Sequence, residues 1–194
     1  LEFRRVLFRS PRIALVDFNN DSVKDSLLVM QRMFARYREL VDTGHETEAQ
    51  RYQLFGVRLD TSSSIRDVSV TPMGQAELDM GVNPRLVFIV RNAIDSAWEK
   101  WDLPVEWTVL AREWCTSVKI VVSGGFNTAK ISRFEKLDVP VDIYAVGSSL
   151  FANDGPRVTD YTADIAQVKI DGVWRAMSKV GRSRGDNPDL EKVS

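Results

Sequence analysis

The alternation of apolar and polar stretches predicts short strands separated by amphipathic helices. Residues 12–16, 54–59, 118–122 and 141–146 are short, mostly apolar runs, and each is followed by polar, hydroxyl-bearing or glycine residues. Such runs are typical of buried strands. Between the first two runs, apolar residues recur at three- and four-residue spacing, which predicts one long amphipathic helix. These helical positions are Val23, Leu27, Met30, Phe34, Tyr37 and Val41.

Three polar residues stand where helices are predicted to begin. Asp21, Asn83 and Asn127 each precede a helical pattern and are predicted N-caps, because their side chains can accept from the free amides of a first turn. The helix after Asn83 is predicted to keep one face apolar as far as Trp101. Its tryptophans and those of the next helix (residues 105–114) are predicted to pack helices together, with stacking on a ligand as the alternative.

Residues 62–82 have no clean period, and a loop of that length is uncommon unless it is functional or disordered. The order of strands and helices, each strand with a polar exit, predicts an α/β fold, either a β/α barrel or a doubly wound sheet. In both folds, function lies at the carboxyl ends of the strands.

The two ends of the chain differ from the middle. Residues 1–10, LEFRRVLFRS, fit no later pattern, and residues 7–10 match what the tail of a common sequencing adapter encodes. They are predicted to be a non-native scar on an incomplete reading frame, with a real basic N-terminal arm as the alternative. Residues 11–182 are predicted to form the folded part, including a hairpin at 163–177 that turns at Asp171-Gly172. Residues 183–194 are predicted to be a loose tail.

Composition narrows the class of protein. The chain has 194 residues, enough for one sizeable domain, and a net charge of −1 that gives no basic field for nucleic acid or an anionic membrane. Its single cysteine, Cys115, cannot form an internal disulfide, which fits a reducing cytoplasm. No apolar run approaches the roughly 20 residues that span a bilayer. We therefore expect a cytoplasmic protein with neither nucleic-acid nor membrane partners.

The later strand exits have the residue types of a phosphate site. Glycine lets a phosphate approach backbone amides, and a helix N-terminus adds free donors. A Ser-Gly-Gly turn followed by a predicted helix, and a Gly-Ser pair one strand later, meet these conditions, although each could be a plain structural turn. The predicted phosphate-binding residues are Ser123, Gly124, Gly125, Gly147 and Ser148.

The exit of the second predicted strand carries a cation and a carboxylate. Arg58 and Asp60 have the same side-chain parity and could both face a ligand, or they could pair with each other. The guanidinium of Arg58 suits a carboxylate or phosphate, and Asp60 could accept from sugar hydroxyls or bind Mg²⁺. Thr61 and Asp17, at neighbouring strand ends, are further candidates for binding substrate. His45, the only histidine, is interpreted as a solvated loop residue.

Several short motifs, taken in order, resemble the carboxyl-terminal half of nicotinate phosphoribosyltransferase, a type II phosphoribosyltransferase. The resemblance extends from about residue 12 to residue 193. The motifs are VDFNND at residues 16–21, LFGVRLDT at 54–61, VVSGGF at 121–126, AVGS at 145–148, ADI at 163–165 and KVGR at 179–182.

The resemblance implies part of an irregular TIM-like β/α barrel with a small C-terminal β-hairpin. It implies an enzyme of NAD salvage that joins nicotinate to phosphoribosyl pyrophosphate, with coupled ATP hydrolysis, Mg²⁺ and a homodimeric full-length form. Arg58 would hold the nicotinate carboxylate or a phosphate, and Asp60 would hold ribose hydroxyls or Mg²⁺. Arg58 and Asp60 would be the catalytic residues. A quinolinate or nicotinamide phosphoribosyltransferase and a non-catalytic phosphate-binding module are the alternatives.

One departure from the family limits the expected activity. The family couples ATP through a phosphorylated histidine upstream of these motifs, and His45 is not in a matching context. The family's amino-terminal domain has no counterpart in this sequence either. We therefore expect the 194-residue chain alone to be inactive or nearly so.

Overall fold

The computed structural model describes residues 11–147, residue 149 and residues 165–182. Four parallel strands form one sheet in the spatial order β1-β2-β3-β4. The strands are β1 (Ile13–Leu15), β2 (Gly56–Leu59), β3 (Lys119–Val122) and β4 (Ile143–Tyr144). The predicted parallel α/β sheet is thus confirmed, with each strand shorter than its apolar run.

The last strand is shortened most, to two residues, because a side chain takes over part of its pairing. Asp142 donates its backbone N–H to Ile120 O at 3.0 Å, while its carboxylate oxygen Oδ2 accepts from Ile120 N at 2.8 Å. Lys119 also forms an ion pair with this carboxylate at 2.9 Å. Hydrophobic pattern alone does not reveal such a substitution of side chain for backbone.

The helices begin where their caps predict. The helices of the described residues are α1 (Ser22–Asp42), α2 (Glu46–Ala49), α3 (Ala76–Asp79), α4 (Pro84–Asp95), α5 (Val105–Ser117) and α6 (Thr128–Lys136). Asp21, Asn83 and Asn127 cap α1, α4 and α6, each accepting from a backbone N–H three residues ahead. All three predicted caps are confirmed.

The helix that follows Asn83 is shorter than predicted. Helix α4 ends at Asp95, and a 3₁₀ turn at Ala97–Lys100 replaces the predicted continuation to Trp101. Ser96 is the C-cap, and both its N–H and its hydroxyl donate to Asn92 O, at 3.3 and 2.9 Å. A serine that bonds to the preceding turn in this way competes with helix propagation.

Two buried carboxylates hold the long segment at residues 62–82 in place. Asp67 accepts from the N–H and the hydroxyl of Ser22, at 3.0 and 2.6 Å, which ties the segment to the start of α1. Asp79 accepts from the N–H groups of Met73 and Gly74. Burial by itself would raise the pKa of Asp79, but these bonds and the ion pair with Arg85 hold it below its usual value. The segment is therefore ordered, and it includes the short helix α3.

The core lies on one face of the sheet. In a parallel sheet, residues in register point to the same side. Val57, Leu59, Ile120 and Val122 belong to the core cluster, together with side chains of α1, α4, α5 and α6. The residues of opposite parity form what we call the open face: Ile13, Leu15, Gly56, Arg58, Lys119, Val121 and Ile143.

The open face is exposed on the two edge strands in the described part of the chain, while Val121 on β3 is only 4% exposed. Ile13 and Leu15 keep 43% and 49% of their surface exposed, and Ile143 is exposed as well. Parallel sheets are usually covered on both faces. The described residues therefore supply one helical layer of an α/β arrangement and leave the edge strands accessible on the other side of the sheet.

The predicted role of the tryptophans in helix packing is confirmed for three of them. Phe34 of α1 is buried, with ring centroids 5.0 Å from Trp101, 6.1 Å from Trp107 and 5.6 Å from Trp114. These rings join α1 to α5 and to the residues before it. They form an aromatic cluster in the helical layer.

The predicted hairpin is present as β5 (Gln167–Ile170) and β6 (Val173–Ala176), which pair antiparallel. Asp171 and Gly172 have φ values of 49° and 81°. Two positive φ values in a two-residue turn are what a type I′ hairpin requires. Residues 163 and 164 of the predicted range lie outside the described residues, as do the segments 1–10 and 183–194. No helix among the described residues is long and apolar enough to cross a membrane.

We expect Cys115 to be unreactive in the folded protein. It is fully buried in α5, and burial raises the pKa of its thiol to about 12. Since the thiolate is the nucleophile, labelling by iodoacetamide at pH 8 should be at least about 100-fold slower in the native chain than in urea. Mass spectrometry of timed aliquots measures both rates. Equal rates would mean that α5 does not shield the thiol.

Candidate functional site

The carboxyl ends of the strands border a cleft of about 610 Å³. Strand exits, the glycine turn after β3, the first turn of α6 and a residue near the C-terminus contribute to its walls. The lining residues are Arg58, Asp60, Ser62, Ser63, Ser123, Gly124, Gly125, Phe126, Lys130, Ala145, Gly147 and Arg182. Six of the predicted site residues therefore meet at one place: Arg58, Asp60, Ser123, Gly124, Gly125 and Gly147.

Arg58, Asp60 and Ser123 form a hydrogen-bonded chain on the open side of the sheet. Arg58 Nε donates to Ser123 Oγ at 2.8 Å, and Ser123 Oγ donates to Asp60 Oδ1 at 2.7 Å. The nearest approach of Arg58 to Asp60 is 3.6 Å, from Nη2 to Oδ2. Both sequence interpretations of this pair therefore apply, because the residues face the cleft and also attract each other. Their side chains keep 43% and 29% of their surface exposed, so both remain accessible to a ligand.

The turn after β3 borders the cleft with two glycines. Gly124 and Gly125 have φ values of 86° and 68°, a region that favours glycine. A Cβ on Gly124 would lie 3.4 Å from Asp60 Oδ1, so the backbone and the carboxylate are closely packed. The amides of both glycines have no acceptor in the described part of the chain. They are donors available to an anion.

Helix α6 begins beside this turn and contributes a cation, Lys130. The ammonium donates to Gly124 O at 3.3 Å and lies 4.1 Å from the centroid of the Phe126 ring. Burial lowers the pKa of Lys130, because the ammonium has lost part of its hydration. An anion in the cleft would compensate for this lost hydration. The helix N-terminus adds aligned dipoles of the same sign.

The residues that follow β4 also border the cleft, through Ala145 and Gly147. Among the described residues, nothing lies within 4 Å of the position that a Cβ on Gly147 would take, so they leave the backbone there open to a ligand. The hydroxyl of Ser149 donates to Phe126 O at 3.0 Å, which joins this exit to the turn after β3. Ser148, predicted to bind phosphate, lies outside the described residues.

Two predicted substrate residues do not line the cleft. Thr61 is buried, and its hydroxyl has no hydrogen-bond partner among the described residues. Asp17 is also buried, and its Oδ2 forms an ion pair with Lys179 Nζ. Burial raises the pKa of Asp17, and the contact with Lys179 acts against that rise. In this structure Asp17 interacts with Lys179, so a contact of Asp17 with substrate stays a prediction.

The histidine of the chain lies away from the cleft residues in sequence and is exposed. His45 is exposed in the connection before α2, with Nδ1 3.1 Å from Thr43 Oγ1, as the interpretation of a loop residue expects.

No group of three or more potential metal ligands occurs within the described ranges. Asp60 is the one carboxylate among the described residues that line the cleft, and its Oδ1 already accepts from Ser123. Mg²⁺ binding by Asp60 therefore stays a prediction.

Sequence reasoning missed two cations at the cleft, Lys130 and Arg182. Lys130 could have been found, because the cap at Asn127 places it on the first turn of a helix that follows a glycine turn. Arg182 belongs to the KVGR motif, but no role was predicted for it. Its position depends on a contact between distant parts of the chain, which local pattern does not encode.

A second cleft, of about 620 Å³, lies at the opposite end of the sheet. Arg12, Phe55 and Lys119 border it at the amino ends of the strands, together with residues of α1 and α5. In parallel α/β folds, ligands bind at the carboxyl ends, where helix N-termini and strand exits converge. The cleft with Arg58 and Lys130 is therefore the better candidate site.

Comparisons with known proteins leave the site to be interpreted from its geometry. No protein-family model matches the chain, and searches of the curated proteins and of the solved structures found no significant match.

Proposed function

We propose that this chain is the carboxyl-terminal part of a nicotinate phosphoribosyltransferase and that the cleft holds its phosphoribosyl substrate. The observation that carries the proposal is the convergence of three strand exits on one cleft, in the order in which the sequence motifs occur. The exit of β2 supplies Arg58 and Asp60, the exit of β3 supplies Ser123 and the glycine turn, and the exit of β4 supplies Gly147.

The 5′-phosphate would lie at the glycine turn. The amides of Gly124 and Gly125, the start of α6 and the ammonium of Lys130 together offer neutral donors and a positive charge within a small volume. Charge-assisted hydrogen bonds of this kind are stronger than neutral ones. A phosphate there would also restore the solvation that Lys130 loses by burial.

Arg58 and Asp60 would act on the other end of the substrate. In the proposed reaction the ribose C1–oxygen bond to pyrophosphate breaks, and its electron pair leaves with pyrophosphate. The ring nitrogen of nicotinate then supplies the pair for the new bond to C1. Positive charge develops on the ribose during this step, and the fixed carboxylate of Asp60 would stabilise it. Arg58 would bind the carboxylate of nicotinate or a phosphate.

The open face supports the proposal that the sheet is part of an irregular TIM-like barrel. Arg58, Asp60 and Ser123 extend from the side of the sheet that carries Ile13, Leu15 and Ile143. In a barrel this side points inward and packs against inward-facing side chains from the other strands of the cylinder. A barrel completed by further strands would cover these apolar residues and enclose the cleft.

Further parts of the proposed activity come from the resemblance alone. They are Mg²⁺ and ATP as cofactor and co-substrate, a homodimeric full-length enzyme and a cytoplasmic location. The roles of Arg58 and Asp60 are implied by the resemblance and are supported by the position of both side chains at the cleft, while the role of Lys130 rests on its charge and contacts there.

We expect the 194-residue chain to bind phosphoribosyl pyrophosphate through Lys130. Lys130→Ala should weaken binding about tenfold, because it removes a charged hydrogen-bond donor from a partly buried site. Lys136→Ala is the matched control, since Lys136 is exposed at the far end of the same helix. Isothermal titration with phosphoribosyl pyrophosphate and with ribose 5-phosphate measures the affinities.

Different outcomes separate the candidate functions. Binding of phosphoribosyl pyrophosphate, followed by nicotinate in a ternary complex, supports the proposal. Binding of inorganic phosphate with equal affinity, and no binding of nicotinate, favours a non-catalytic phosphate-binding module. Binding of quinolinate or nicotinamide in place of nicotinate favours the related phosphoribosyltransferases. Equal effects of the Lys130 and Lys136 substitutions would contradict the assignment of the cleft.

A further inference from the structure

The residues just after the hairpin cross the carboxyl edge of the sheet. We call residues 177–182 the strap. Val180 N donates to Phe18 O at 3.0 Å, which fixes the strap to the exit of β1. Gly181 packs against Ile65, and the side chain of Ile65 occupies the place of a Cβ at this position. The strap is therefore bound to two separate segments of the domain, and Gly181 has a φ of 82°, a region that favours glycine.

Lys179 is the strap's main polar anchor. Its ammonium forms an ion pair with Asp17 Oδ2 and donates to the backbone oxygen of Asp60 at 2.9 Å. The Lys179 side chain is 15% exposed and that of Asp17 is 0% exposed. A buried carboxylate without a counter-charge is costly, so the interaction strongly favours the bound position of the strap. Because it bonds to the backbone of Asp60, the same ammonium also holds the exit of β2 in place.

The turn at the end of the strap carries Arg182 into the cleft. Arg182 N donates to Lys179 O at 2.9 Å, which closes a four-residue turn, and Gly181 in that turn has a φ of 82°. Ser178 Oγ donates to Arg182 O, also at 2.9 Å. Lys179 and Arg182 are therefore the first and last residues of one rigid turn. One is buried at Asp17, and the other lines the cleft beside Arg58 and Lys130.

We propose that the strap is part of the anion site: Arg182 binds a phosphate or pyrophosphate group in the cleft, and Lys179 is the positioning residue that holds Arg182 there. This inference rests on the proposed function, since it assigns further residues to the same cleft. It gives the KVGR motif a physical role, with a lysine for the anchor, a glycine for the turn and an arginine for the ligand. Arginine suits the last position because its planar fork binds phosphate oxygens in pairs.

The experiment must distinguish positioning from general stabilisation. Lys179→Met alone leaves the Asp17 carboxylate buried and unpaired, so it could unfold the chain. The double variant Asp17→Asn/Lys179→Met removes both charges and keeps similar side-chain volumes. Thermal unfolding followed by circular dichroism then shows whether the variant is folded at the temperature of the binding measurement.

The probe is inorganic phosphate, and the readout is the shift of the Gly124 and Gly125 amide resonances in a titration. Arg182→Ala should weaken phosphate binding about tenfold, as expected for the loss of one charge-assisted contact. The double variant should weaken it by a similar factor while remaining folded. Adding Arg182→Ala to the double variant should change the affinity less than twofold, because both changes act through one guanidinium. Lys169→Met and Arg175→Ala, on exposed positions of the hairpin, are the matched controls.

The possible results separate this inference from the proposed function. If the double variant is folded and binds phosphate as tightly as the wild type, the inference is wrong while the proposed function stands. If the two changes weaken binding independently, Lys179 does not act through Arg182. If phosphate binding follows the inference but phosphoribosyl pyrophosphate and nicotinate do not bind, the strap is part of an anion site and the proposed function is wrong. A wild-type chain that binds no phosphate overturns both.

Discussion

Phe34→Ala is expected to lower the free energy of unfolding by about 3–5 kcal/mol, the range found for removal of a buried phenylalanine. Phe34 is 1% exposed and contacts Trp101, Trp107 and Trp114 as well as Tyr37. The substitution removes apolar surface from the core and leaves a cavity that four rigid rings cannot easily fill. Since domains are typically stable by only about 5–15 kcal/mol, the variant would be close to unfolding at 37 °C.

Urea unfolding followed by tryptophan fluorescence measures this loss, because three of the indoles lie against Phe34. Leu28→Ala is the matched control on the same helix, where Leu28 is 50% exposed. We expect that change to stay within about 0.5 kcal/mol, as is usual for surface positions. A loss below about 1 kcal/mol for Phe34→Ala would contradict the packing role of the aromatic cluster. It would reopen the alternative that these indoles stack on a ligand.

The parts of the fold that depend on local chemistry could be predicted from the sequence. The caps at Asp21, Asn83 and Asn127, and the type I′ turn at Asp171-Gly172, involve residues within three positions of one another. The parallel order of the strands followed from the alternation of strands and helices. These features need no knowledge of distant contacts, since a side chain and a neighbouring amide decide each of them.

The errors in the predicted elements have a common cause. Helix α4 ends at Asp95 although its apolar face continues to Trp101, and β4 is short because Asp142 replaces part of its ladder. In both cases a polar side chain bonds to the backbone of the element: Ser96 Oγ shares the acceptor Asn92 O with its own N–H, and Asp142 Oδ2 takes the place of a ladder acceptor. The order in residues 62–82 likewise depends on Asp67 and Asp79, whose partners cannot be identified from periodicity.

Some residues of the candidate site could likewise be predicted from the sequence, and others could not. The residues on strand exits, such as Arg58 and Ser123, could be predicted because parallel strands bring their carboxyl ends to one edge. Lys179 and Arg182 could not, because their place depends on how the hairpin folds back over that edge. Lys179 contacts Asp60 O across 119 positions of sequence. A motif can indicate that such residues matter before anything in the sequence indicates what they touch.

The open face connects the fold with the proposed activity. The helices cover one side of the sheet, while the polar chain of Arg58, Ser123 and Asp60 extends from the other side. A ligand in the cleft would therefore lie above apolar residues of the open face rather than within the helical layer. Variants that test the core and variants that test the cleft should then have separable effects, unless they move a strand that belongs to both.

Gly56→Ala is such a variant, and it is expected to lower the free energy of unfolding by about 3 kcal/mol. A Cβ on Gly56 would lie 2.7 Å from the backbone oxygen of Lys119, the residue that Gly56 faces on β3. Overpacking typically costs about 1–3 kcal/mol, and the upper end applies where the clash is with backbone that cannot rotate away. The strands β2 and β3 must separate locally to accept the methyl group.

The same displacement should weaken phosphate binding in the cleft, because Arg58 follows two residues later on β2 and must reach Ser123 beyond the end of β3. Urea unfolding and a phosphate titration of one preparation measure both effects. Gly147→Ala is the matched control for stability, since no described residue lies within 4 Å of its Cβ position, and it should change the free energy of unfolding by less than about 0.5 kcal/mol. If Gly56→Ala destabilises the chain but leaves the phosphate affinity unchanged, the distance between Arg58 and Ser123 does not set the affinity of the cleft. If stability is also unchanged, the two strands are not as close as the structure places them.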